Sequence, residues 1–176
     1  TERKVADTFE GYDFPIIRYA EVLLNYAEAM YELGTTGKAL DDALNISLNL
    51  VRLRVNPDMP KLTTSFASEN SLNMREEIRR ERTIELYNEG FRVDDLKRWN
   101  TAIVEMPKPI LGVKWTGTDF ATSWAGASNM AKDSDGCLIL ENSRRWGSKN
   151  DLYPLPVDQC QLNPNLGQNP RSEERR

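Results

Sequence analysis

The sequence predicts a mainly α fold of helical hairpins, followed by a long irregular loop region that contains a small β element. Two observations carry this expectation. Small and apolar residues recur at three- and four-residue steps through the N-terminal half, which is the period of a helix with one buried face. Beyond Met106 that period stops and Pro, Gly and Ser accumulate, as expected for irregular chain.

In DFPIIRYAEVLLNYAEAMYELG, Asp13 is placed to cap, Pro15 suits a first helical turn and Gly34 offers the left-handed conformation that ends a helix. Ala20, Leu23, Leu24, Ala27, Met30 and Tyr31 recur at three- and four-residue steps, leaving Glu21, Glu28 and Glu32 in register with one another. Next, KALDDALNISLNLVRLR reads as one continuous second helix, halted by Asn56-Pro57. The short TTG connection makes the pair (13–56) an antiparallel hairpin of the length seen in tetratricopeptide-like repeats.

Residues 56–70, rich in Pro, Ser and Thr, read as a loop. SLNMREEIRRERTIELYNEG reads as a helix ending at Gly90, and FRVDDLKRWN completes a second hairpin over 71–100. Within the irregular stretch 106–151, ILGVKW and GCLILEN have the composition of short strands. The final segment, 152–171, has two prolines and repeated Asn-Pro pairs that speak for an ordered, extended tail without regular helix.

Composition limits the functions open to the chain. Its 176 residues, 39% hydrophobic, suffice for one ordinary domain. Lys+Arg 23 against Asp+Glu 27, a net charge of -4, leaves no cationic surplus for a phosphate backbone, so nucleic acid is not an expected partner. No apolar run approaches the ~18 residues that would span a bilayer. The opening TERKVADTFEGYDFP lacks both Met and a signal-peptide apolar stretch, which fits a fragment or a processed chain. Histidine is absent, which removes the commonest general base and metal ligand. Cys137 and Cys160 lack metal-site or redox spacing, and whether they form a disulfide is open at this level.

The densest ionic constellation is Glu81, Arg82, Glu85, Glu89, Arg92, Asp94, Asp95 and Arg98. Paired carboxylates serve acid/base chemistry in glycoside hydrolases, but there they face a sugar from opposite sides. Carboxylates that alternate with arginines on the same helices favour mutual neutralisation instead. Arg18, Arg52 and Arg54 read as helix-tying residues, with Glu21 or Glu28 as the simplest partners. Trp115, Phe120, Trp124 and Trp146 lie in the irregular region, where flat rings either stack on sugar faces or anchor the loop to its scaffold. Trp115, Trp124 and Trp146 are the candidate ligand-binding residues. Trp99, at a helix end, reads as core.

Three segments together resemble the SusD/RagB family. The first runs from Arg18 to Ala29 (Arg-x-Ala-Glu-x-x-Leu-x-x-Ala-Glu-Ala) and continues to Asn49, Arg52 and Arg54. The second supplies Glu81, Arg82, Glu85 and Leu86, then Glu89, Gly90 and Arg92. The third supplies Tyr153, Pro156, Asn163, Pro164, Leu166, Gln168, Asn169 and Pro170. Two departures are visible: Val55-Asn56 where the family usually has Ala-Gly, and Arg171 where Gly is usual. Asn tolerates the left-handed conformation, so Asn56 is expected to preserve a turn there.

The resemblance implies a helical, tetratricopeptide-containing lipoprotein on the external face of a Bacteroidetes outer membrane. Such a protein binds oligosaccharide without catalysis and works with a SusC-like TonB-dependent transporter. This chain then corresponds to the C-terminal portion (1–176) of a longer protein, attached to the membrane only through an N-terminal lipid that it does not itself carry. No cofactor or metal is implied, and the matched motif residues are scaffold. Two rival readings are a helical-repeat module that binds only protein and, last, a glycoside hydrolase.

Overall fold

The computed structural model describes residues 16–163 and 165–169. They are mainly helical with one two-stranded antiparallel sheet, and the chain divides into two compact units, Thr1–Arg92 and Val93–Arg176. All four tryptophans, Trp99, Trp115, Trp124 and Trp146, fall in the second unit.

The first unit begins with α1 (Tyr19–Glu32), which buries Leu24, Ala27 and Glu28. The expected caps Asp13 and Pro15 lie outside the described residues; Arg18 takes the N-cap position in extended conformation. At the other end Gly34 has φ +81, its N–H reaches the Tyr31 carbonyl at 2.9 Å, and the Thr35 N–H reaches the Met30 carbonyl at 3.2 Å. Those two bonds are the Schellman arrangement, which only a residue free of Cβ strain closes cheaply.

The expected second helix is interrupted. It forms α2 (Gly37–Asn45) and α3 (Leu48–Val55), broken at Ile46-Ser47, where Ser47 has φ -135 and ψ -98. The buried Ser47 hydroxyl donates to the Ala43 carbonyl at 2.6 Å, competing with the backbone ladder. The break serves Asn49, which is fully buried: its Nδ2 donates to the Leu62 carbonyl at 2.9 Å and its Oδ1 accepts from the Leu62 N–H at 2.7 Å. Asn56, expected in a left-handed turn, instead has φ -141 and ψ 107. The following proline accounts for this, since its ring disfavours compact conformations in the preceding residue.

The stretch read as loop contains a further helix, α4 (Thr64–Glu69). Thr63 Oγ1 accepts from the Phe66 N–H at 3.1 Å, and Asp41 of α2 accepts from the Thr64 N–H at 2.7 Å. Two side chains thus satisfy two of the orphan donors of a helix too short to stand alone. α5 (Met74–Glu85) is capped by Asn73, which accepts from the Arg75 and Glu76 N–H groups. It stops before Gly90; Asn88 at φ 62 and Gly90 at φ 89 form the turn into α6 (Phe91–Arg98). The core of this unit joins Leu24, Leu40, Leu44, Leu48, Val51, Leu62, Ile78 and Leu86, all at most 4% exposed.

In the second unit the boundary residue Val93 already lies inside α6. α7 (Ala102–Glu105) precedes β1 (Ile110–Lys114), which pairs antiparallel with β2 (Cys137–Glu141) through Ile110 with Glu141, Leu111 with Ile139 and Lys114 with Cys137. Both expected strands are present. α8 (Phe120–Ser123) lies between them. Gly136 closes the turn before β2 at φ +81, and a Cβ there would stand 2.5 Å from Thr116 Cβ. Asp133 accepts from the Asp135 and Cys137 N–H groups at 3.0 and 2.8 Å, completing that turn.

The tail is not wholly extended. α9 (Val157–Leu162) occupies the space between Pro156, at its N-cap, and Asn163. Proline at a helix start is tolerated because the first N–H groups have no partner in any case. After it, the Gln168 amide pairs with both backbone groups of Leu155, accepting from N–H at 2.7 Å and donating to C=O at 2.8 Å. Cys137 and Cys160 are free thiols.

Candidate functional site

In the first unit the predicted ionic residues meet in pairs that tie distant parts of the sequence. Arg18, at the start of α1, reaches Glu85 at 2.9 Å and grips Glu89 with two nitrogens at 2.8 and 2.9 Å. Bonds to Glu89 and then Glu85 raise the guanidinium pKa further. Arg54 of α3 shares the same Glu85 at 2.9 Å, and Arg52 Nε lies 3.1 Å from Glu81. The partners of Arg18, Arg52 and Arg54 are therefore α5 glutamates and Glu89 rather than the expected Glu21 or Glu28. Glu21 sits in the first turn of α1, where its charge favours the positive helix end, and Glu28 is buried.

Arg82, 5% exposed, donates to Asn25 at 2.7 Å and lies over the Phe91 ring. Arg92 donates to the Thr83 hydroxyl at 2.9 Å. In the second unit Asp95 and Arg98 pair at 2.9 Å, whereas Asp94 is exposed. Burial raises the Glu81 carboxyl pKa, against the opposing pull of Arg52. Glu81 and Glu85 are held by arginines from other parts of the unit, so these pairs brace helices.

A cleft of about 540 Å³ opens along α1 and α3, with Ala20, Leu23, Leu50 and Val51 as its floor and Tyr19, Arg18 and Arg54 at its rim. Sequence reasoning placed Ala20 and Leu23 on a packing face and Arg18 and Arg54 in helix ties, and missed the cleft. Leu50, on α3 after the break at Ser47, is left 47% exposed and forms part of this floor.

The aromatic candidates occupy different environments in the second unit. Trp115 is 5% exposed and packs with Ala127 and Leu138 as the unit's small core, so it has no open face. Trp124 is 52% exposed and meets Trp115 edge-to-face, with centroids 5.9 Å apart at 61°. Phe120, on α8 close by in sequence, is 50% exposed. A buried ring that braces an exposed one gives a fixed apolar platform. Trp146 is half-buried, with its indole N–H donated to Asp151 at 2.9 Å. Beside it stands Tyr153, a motif residue read from the sequence as scaffold: it is 72% exposed and its ring carries the Lys97 ammonium at 3.9 Å, while the same ammonium lies 5.8 Å from Trp146.

Among the described residues, no helix is long and apolar enough to cross a membrane, and no cluster of His, Cys, Asp and Glu could hold a metal. No curated protein matches the chain. Solved structures do. A SusD-like carbohydrate-binding protein from Bacteroides fragilis is 30% identical with a TM-score of 0.64; the match covers 87% of this chain and 28% of that one. A SusD-like protein, also from Bacteroides fragilis, is 27% identical with a TM-score of 0.58, over 93% of this chain and 27% of that one. The chain thus spans little more than a quarter of the length of these relatives. The SusD family profile matches residues 2–171, nearly the whole sequence and all three motif segments, and the chain belongs to the SusD family.

Proposed function

We propose that this chain is the C-terminal part of a protein that binds oligosaccharide at the external face of the outer membrane and passes it to a SusC-like TonB-dependent transporter, without catalysis. The observation that carries the reading is family membership, joined to an exposed aromatic platform on a folded scaffold. Trp124, braced by Trp115 and flanked by Phe120, presents the flat apolar surface on which a sugar ring stacks. Neutralisation of Glu81 and Glu85 by arginines supports binding over hydrolysis. Val22 and Tyr26, exposed on α1, supply a helical face for docking on the transporter.

Isothermal titration against plant, host and microbial oligosaccharides tests the reading. Binding of at least one is expected, and Trp124→Ala should weaken it by about 1 to 2 kcal/mol. If no glycan binds while a partner protein does, the chain is a helical-repeat interaction module instead. Release of sugar product from a labelled oligosaccharide would refute the non-catalytic assignment.

A further inference from the structure

The second unit pairs Arg98 with Asp95 and Lys108 with Glu105, but three of its cations are held differently from the arginines of the first unit. In the first, Arg18, Arg52, Arg54 and Arg75 each face a glutamate. In the second, Arg144 donates to the Lys108 carbonyl and Arg145 to the carbonyls of Asn142 and Arg144, while Lys97 rests on the rings of Tyr153 and Trp146. Among the described residues none of these three cations is within ion-pair distance of a carboxylate. Asp151 accepts from the Trp146 indole, and Glu141, which accepts from the Ser143 hydroxyl at 2.6 Å, feels only the charge of Arg144 among the three.

Carbonyl and ring contacts hold a cation in place without cancelling its charge, and an ammonium on a ring face keeps N–H groups free to donate. Lys97, fixed on a largely exposed aromatic ring without a carboxylate partner among the described residues, forms with that ring a two-part recognition element. Tyr153 offers its open face to the C–H face of a pyranose, and the ammonium offers charge-assisted bonds to an anionic substituent. A neutral sugar would use only the first part.

We propose that Lys97, Trp146 and Tyr153, with Arg145 next to Trp146 in the chain, form a subsite for an acidic sugar, one bearing a carboxylate or a sulfate. This inference rests on the glycan-binding function proposed above and narrows it to a ligand class.

The test is titration of the full chain with hexagalacturonate, with its methyl ester, with a heparin hexasaccharide and with a panel of neutral oligosaccharides, at low and at high salt. At least one of the two acidic probes should bind about tenfold or more tightly than the methyl ester and the neutral panel. That preference should shrink at high salt, and which acidic probe binds separates carboxylate from sulfate recognition. Lys97→Met, which keeps an apolar chain on the rings, should abolish the preference. Arg145→Gln, at an exposed position, should weaken acidic binding severalfold with an unchanged circular dichroism spectrum, and provides the test if K97M does not fold. Equal affinity for hexagalacturonate and its ester with no heparin binding, or an acidic preference untouched by either substitution, would overturn the proposal. Binding confined to neutral glycans overturns it while leaving the general glycan-binding function standing; binding of no glycan overturns both.

Discussion

Replacing Asn49 by Ala tests how the break between α2 and α3 contributes to the first unit. The Asn49 side chain forms two hydrogen bonds to one residue, at 2.9 and 2.7 Å, and both Asn49 and Leu62 are fully buried. Truncation removes both bonds and leaves the N–H and C=O of Leu62 without side-chain partners and out of reach of water. At roughly 1–3 kcal/mol for each orphaned buried group, and with partial relaxation, the loss should be about 3–5 kcal/mol. That is a large share of the ~5–15 kcal/mol that holds a typical domain together. Urea unfolding followed by far-ultraviolet circular dichroism should show a lower midpoint with little change in slope, and the Leu62 amide should lose hydrogen-exchange protection before its neighbours in the core. A loss below about 1 kcal/mol, or a Leu62 amide still protected in the variant, would refute the argument that this pair locks the segment after α3 onto the hairpin.

Other outcomes follow from the same structure. Glu85→Gln leaves Arg18 and Arg54 facing a neutral amide and should lower stability by about 1–2 kcal/mol in thermal unfolding, whereas removing the exposed Lys38–Asp42 pair should change it by less than about 0.5 kcal/mol. The Glu81 carboxyl should titrate above the ordinary glutamate value of 4.5 by NMR. Because its folded pKa is raised, the folded state holds the proton longer than the unfolded one, so wild type should lose stability relative to Glu81→Gln as pH rises through that window. Gly136→Ala combines a positive φ with a Cβ 2.5 Å from Thr116 Cβ and should cost about 2 kcal/mol or more, read as a lower thermal midpoint for the second unit.

The sequence disclosed the elements whose causes are local. α1 follows from periodicity, the end of α1 from Gly34, and the two strands from composition. Where long-range contacts decide, it misled. The helix over 38–54 breaks because Asn49 is held by Leu62, a partner no local window contains. Arg18 chose Glu85 and Glu89 on a distant helix and turn over nearby Glu21 for the same reason. α4 had a readable cap in Thr63, but its second cap, Asp41, comes from α2. The tail motif was legible as a pattern and not as a mechanism: Gln168 mimics a neighbouring strand for Leu155. Of the aromatic candidates, composition could not separate buried Trp115 from exposed Trp124, because alternation between inside and outside has no fixed period in irregular chain.

The confinement of all four tryptophans to Val93–Arg176 makes the molecule self-reporting in the optical sense. Light at the red edge of indole absorption excites only the second unit, so its emission records melting, quenching or ligand arrival there while remaining blind to the helices before it. Paired with a helix-sensitive signal, the same sample reveals in one scan whether the two units melt together or in sequence, with no label added.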